Sequence, residues 1–208
     1  MYNLYYVVKD SSIDLIRNKG ATFFKGTFIF LYTLTLTILL HLLVTTNHLE
    51  TIEKENKLLE SNSLDSFVQT NSSDHLITLL VSLKNGFIIF TISLFLFGIA
   101  YLFIYFQKAL LLNKEELVTK KMLGASAVRV ASELFLDSVL LLIPSIILGI
   151  IVAEFFYTSC FFYSTFWLAR DFYAPSYFIV YVDLPLIGLF SLVLICQFIY
   201  LKQKITNL

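Results

Sequence analysis

The sequence predicts an all-α integral membrane protein: four transmembrane helices, both ends in the cytoplasm, and a short extracytoplasmic helical hairpin between the first two. Three observations predict it. Hydrophobic residues make up 58% of the chain and charged residues 14%, with a mean hydropathy of +0.79. A soluble domain of this size could bury so many apolar side chains only by exposing many others. Four apolar runs reach or approach the about 20 residues that a helix needs to cross the hydrocarbon core. Basic residues concentrate in alternate connections, as a fixed membrane orientation requires. The 21 Phe and 12 Tyr beside only 7 Gly and 3 Pro also suit long helices better than a loop-rich fold.

Residues 1–20 mix Tyr5, Tyr6, Val7, Ile13, Leu15 and Ile16 with charges. They read as an interfacial amphipathic segment, with Lys19 and Lys25 near lipid phosphates. The first span is 21–46, uncharged from 26 onward, with His41 its most polar member. Residues 47–85 carry Leu49, Ile52 and Leu59 at helical spacing, then a polar stretch, then the apolar 76–83. That pattern reads as a two-helix hairpin above the bilayer. The second span, 86–106, has neither charge nor proline, and 107–129 is the connection that follows. The third span, 130–154, is the difficult one, because only 16 uncharged residues lie between Asp137 and Glu154. A mid-bilayer carboxylate costs about 2.5–3.5 kcal/mol, so Glu133 and Asp137 belong at the water-facing end. Pro144 is tolerable there because neighbouring helices can satisfy the freed carbonyl. An aromatic outer loop containing Trp167 (155–178), a fourth span (179–201) and a short tail (202–208) complete the chain.

Charge sets the direction. Lys9, Arg17, Lys19 and Lys25 precede the first span; Lys108, Lys114, Lys120, Lys121 and Arg129 lie between the second and third; Lys202 and Lys204 end the chain. The other two connections hold only Lys54, Lys57, Lys84 and Arg170. The termini and the middle loop are therefore expected in the cytoplasm.

Enzyme chemistry is not expected. There is no Gly-rich phosphate loop of the Walker type. His41, His48 and His75 are the only histidines, and their spacing forms no metal-ligand pair or Ser-His-Asp set. Cys160 and Cys196 read as small buried hydrophobes. No catalytic residue, metal site or cofactor follows, and a net charge of zero argues against nucleic acid. Polar residues inside the membrane remain functional pointers, Glu133 and above all Asp137. Ser145, Gly149 and Ala153 repeat at intervals of four, a face that admits close helix approach within the subunit or against a second copy.

The segment NKEELVTKKMLGASAVRVASELFLDSVLLLIPSIILGIIVAEFF resembles the FtsX-like (MacB-type) permease family of ABC transporters. Glu116, Lys121, Leu123, Gly124, Ala125 and Ser126 match that family's motif in order and spacing, and Glu133 or Asp137 stands for the acidic residue that often follows. Lys121 stands where the family usually has Arg. The similarity covers about 87–203 and, loosely, the start of the first span. It implies a permease subunit in the plasma membrane, most simply the bacterial cytoplasmic membrane, acting as a homodimer or as a heterodimer with a related permease. It also implies a separate ABC ATPase subunit docked on a short helix around 113–123, with Lys120 and Gly124 in the coupling segment. The family's large extracytoplasmic domain is absent. Peptide or bacteriocin export, resistance, lipid-linked substrates and control of wall hydrolases therefore stand equally open. The rival expectation is a non-transporting membrane immunity or scaffold protein with the same fold.

Overall fold

The computed structural model describes residues 19–61, 70–162 and 179–206. The N-terminal segment before residue 19, the polar stretch 62–69 and the aromatic loop 163–178 with Trp167 lie outside them. Every described element is helical: α1 (Lys19–Ser61), α2 (Thr70–Leu112), α3 (Lys114–Met122), α4 (Ala127–Phe162), a π-helical turn (Ile179–Asp183) and α5 (Leu184–Thr206). Four helices are long and apolar enough to cross a membrane, over Thr22–Leu59, His75–Leu112, Ala127–Cys160 and Val180–Thr206.

The helices are longer than the expected spans. α1 and α2 each have 43 residues. At about 1.5 Å per residue each is roughly 65 Å long, twice the thickness of a hydrocarbon core of about 30 Å. No proline interrupts either one. The only interior proline of α4 is Pro144, and the helix continues through it.

Two compact units divide the chain. Among the described residues, the first comprises 19–34, 96–151 and 185–206; the second comprises 35–61, 70–95, 152–162 and 179–184. In the first, α1 runs parallel to α4, since Gly26 lies against Ser145 and Thr33 against Gly149. It runs antiparallel to α2, where Phe28 meets Tyr101 at 4.8 Å between ring centroids and Lys25 stands over the Tyr105 ring. The core of this unit gathers Leu110, Leu117, Val130, Ala131, Leu134, Leu201 and Ile205. Phe106, Phe135 and Phe198 continue it as a chain of ring contacts. In the second unit, Tyr157 and Val182 form a smaller buried cluster against Leu40, Leu42 and Val44.

The distribution of polarity is opposite to that of a water-soluble bundle. Ile89, Phe90, Leu96, Ile104, Ile147 and Ile151 face outward. Thr33, Thr37, His41, Thr45, Ser138, Asp183 and Gln197 are buried. A lipid solvent makes this arrangement favourable, because apolar groups cost nothing at the periphery while polar groups must find partners inside. Thr33 Oγ1 donates to the Ile29 carbonyl at 2.8 Å and Ser145 Oγ to the Leu141 carbonyl at 3.0 Å, so these hydroxyls are satisfied within their own helices.

Candidate functional site

The motif around Leu123-Gly124-Ala125-Ser126 folds as a stop followed by a start. Leu123 caps α3, and Gly124 follows in the left-handed region at φ +86°. The Gly124 amide donates to the Lys121 carbonyl at 3.0 Å, and the Ala125 amide to the Lys120 carbonyl at 3.1 Å. These are the two bonds of a Schellman motif, which satisfies the last carbonyls of a helix when the residue after the cap has positive φ. Ser126 then opens α4: its Oγ accepts from the Arg129 amide at 3.4 Å, the geometry of an N-cap. α3 itself begins with Glu115 and Glu116 and ends with Lys120 and Lys121, the charge order that complements the helix dipole.

Ion pairs tie this corner to its surroundings. Lys120 Nζ lies 2.9 Å from Glu116 and 3.0 Å from Glu133, and Arg129 approaches Glu133 at 3.6 Å. The bonds from Glu116 and then Glu133 hold the Lys120 ammonium above the usual lysine range, against the opposing pull of partial burial. Lys121 Nζ donates to the main-chain carbonyls of Ile205 and Thr206 at 3.3 and 2.9 Å, closing the C-terminus of α5. Leu117 inserts into the core, whereas Met122 and Leu123 are each 83% exposed. One side of α3 is thus fixed and its tip presents bare apolar surface just after Lys120 and Lys121.

The structure brings Glu116, Lys120 and Glu133 together and puts Lys121 on α5 rather than with them. Glu133 belongs to this charged corner. Asp137 lies on α4, but its side chain is outside the described set. Of the small-residue face, Gly149 packs against α1 within the chain: a Cβ there would stand 2.9 Å from Thr33 Cβ and 3.1 Å from the Phe30 carbonyl oxygen. Ser145 faces Gly26 of the same helix. Ala153 is fully buried.

A second constellation lies in the other unit. His41 of α1, Glu154 of α4 and Asp183 of the π-helical turn each offer one ligand atom, all within 4.8 Å of one another. His41 Nε2 and Glu154 Oε1 are 3.5 Å apart. His41 is fully buried and Asp183 7% exposed. Glu154 Oε1 and Asp183 Oδ1 are buried without a hydrogen-bond partner among the described residues. The Tyr157 ring packs beside the imidazole at 5.0 Å, and its hydroxyl bonds Thr45.

Sequence spacing predicts no ligand pair for any histidine. The fold supplies the partners from 113 and 142 residues away, because α4 at Glu154 and the turn before α5 at Asp183 both meet α1 at His41. The legible signal is on α1, where Thr33, Thr37, His41 and Thr45 recur at intervals of four in an otherwise apolar run. Such a stripe marks a face turned toward protein rather than lipid. No protein-family model, curated protein or solved structure matches the chain.

Proposed function

We propose that the chain is the membrane permease subunit of an ABC-type system and that a separate ATPase docks on α3. ATP hydrolysis on that partner would drive export, or mechanical work outside the cell, through the four helices. The observation that carries this reading is the tip of α3. Met122 and Leu123 are apolar, 83% exposed and preceded by Lys120 and Lys121, on a connection whose basic content favours the cytoplasm. A soluble partner with an apolar cleft would cover the two bare hydrophobes that end this short, charged helix anchored by Leu117. The resemblance of the same segment to FtsX-like permeases points the same way.

In this reading the termini and α3 are cytoplasmic, and the extensions of α1 and α2 form an extracytoplasmic hairpin. Two permease chains pair in the bacterial cytoplasmic membrane. The antiparallel direction of α1 and α2 and the parallel direction of α1 and α4 suit spans that alternate across the bilayer.

Co-expression with a candidate P-loop ATPase provides the test. Wild-type chain should retain the ATPase through detergent purification, and the double variant Met122→Glu, Leu123→Glu should lose it while still inserting. Equal retention by both would reject docking at α3. A chain that performs its cellular role without any nucleotide-binding partner would instead be the non-transporting immunity or scaffold protein.

A further inference from the structure

We propose that His41, Glu154 and Asp183 form a binding site for a divalent transition-metal ion of the zinc class, clamping α1, α4 and the turn into α5. The inference is independent of the permease reading.

The donor set is the first argument. One imidazole nitrogen and two carboxylate oxygens suit a borderline ion such as Zn²⁺, whereas Mg²⁺ and Ca²⁺ favour oxygen alone. Three protein ligands also leave a fourth position for water or another donor.

Geometry is the second. Ligands at 2.0–2.1 Å from a tetrahedral zinc stand about 3.4 Å from each other. His41 Nε2 and Glu154 Oε1 are already 3.5 Å apart. The widest separation in the group, within 4.8 Å, needs a closure on the order of 1 Å to meet that spacing. Rotation of a carboxyl group supplies it.

Charge balance is the third. A buried carboxyl group must be paired with a cation, fully hydrogen-bonded or protonated. Asp183 is 7% exposed, and its Oδ1 is buried without a hydrogen-bond partner among the described residues. Glu154 Oε1 also lacks a hydrogen bond among the described residues, although its side chain is 29% exposed and the oxygen lies 3.5 Å from His41 Nε2. Among the described residues no Lys or Arg forms an ion pair with either carboxyl group; Lys54 and Lys84 of the same unit both pair with Glu50. A dication among the three side chains neutralises both acids at once and gives their free oxygens a partner. The ligands come from residues far apart in the chain, so the bound ion would hold three elements that also meet through apolar packing and the Tyr157–Thr45 bond.

The test uses the full chain, purified in detergent, stripped with a chelator and dialysed against buffered micromolar Zn²⁺. One zinc per chain is expected by elemental analysis. His41→Ala and Asp183→Asn should each lower that occupancy at least tenfold, and exposed His75→Ala should leave it unchanged. Co²⁺ in place of Zn²⁺ should give the visible absorption of a four-coordinate site in wild type and lose it in Glu154→Gln. Monodispersity in size-exclusion chromatography separates lost ligation from lost folding, and the Co²⁺ spectrum reads the site in whichever variant remains folded. Wild-type chain without zinc at micromolar free ion would overturn the proposal and leave a proton-sharing polar cluster. Occupancy indifferent to both His41→Ala and Asp183→Asn would overturn it equally.

Discussion

Gly149 and Thr33 touch so closely that a single added carbon has no room: a Cβ built on Gly149 would stand 2.9 Å from Thr33 Cβ. Neither the Thr33 Cβ nor the nearby Phe30 carbonyl and Leu34 amide is the far end of a flexible side chain. The α1–α4 seam must therefore open to accept any larger residue. Gly149→Ala should destabilise the chain by about 1–3 kcal/mol, the usual cost of overpacking, and Gly149→Val by more. Gly188 is the contrast, because a Cβ there meets nothing within 4 Å. Gly188→Ala, within α5, should be neutral or stabilising by about 0.5–1 kcal/mol. Thermal unfolding of both variants in one detergent checks the pair.

Gly124 tests the corner differently, since the added carbon would meet open space and only the backbone resists it. At φ +86° an L-residue is strained, at a cost of roughly 1–2 kcal/mol. Gly124→Ala should therefore lower stability by about that amount, and Gly124→Asn by less, because Asn visits the left-handed region more readily. If docking at α3 drives the system, Gly124→Leu should also weaken coupling to the ATPase while insertion stays intact. Unfolding midpoints and stimulated ATP hydrolysis, measured on the same preparations, separate the two effects.

The corner is legible in the sequence only as a motif with local determinants; that Gly124 stops one helix and Ser126 starts the next is seen in the structure. The four spans were legible for a similar reason, as hydropathy sums along the chain. The lengths of α1 and α2 were less so. Charged residues such as Glu50, Glu53 and Lys54 suggest a boundary, yet they sit on a continuing helix that nothing interrupts. The cluster of His41, Glu154 and Asp183 was hidden for a different reason. Glu154 and Asp183 each stand at the edge of an apolar run, where a charge reads as a loop residue. Only the register of α1 against α4 shows that these edges converge on His41. Asp137 stands out in the sequence because it interrupts an apolar run, whereas Glu154 merely ends one.

Glu50 offers a test of buried charge outside the candidate sites. It is 5% exposed and pairs with Lys84 of α2 and with Lys54 four residues along α1, the latter at 2.6 Å. Lys84→Ala removes the tie between the two helices and leaves a buried carboxylate with one partner. Stability should fall, because the carboxylate keeps only its Lys54 partner. Adding Glu50→Gln to Lys84→Ala should recover part of that loss, because the charge that lacked its partner is gone. A double-mutant cycle on thermal stability checks this. A double variant no more stable than Lys84→Ala would mean that the cost comes from packing.

Lys120 carries the pH prediction. Its bonds to Glu116 and Glu133 raise its pKa in the folded chain above the unfolded value. A group shifted in that direction contributes stability that is fully present below the unfolded pKa and is lost as pH rises through the folded one. The difference in stability between wild type and Lys120→Gln should therefore be constant from neutral pH into the mildly alkaline range. It should close only as pH passes through and above the ordinary lysine pKa. The Lys120 side chain is 40% exposed, so the contribution should be no more than about 0.2–1 kcal/mol, as for exposed ion pairs. Salt should reduce it, with a Debye length of about 10 Å at 0.1 M ionic strength. Glu133→Gln should remove part of the same increment, leaving the Glu116 bond in place. Unfolding midpoints for the three proteins across alkaline pH, at low and high salt, test the sign. A gap that widens with pH would mean that Lys120 is stabilised in its neutral form, contrary to the pairing seen at the corner.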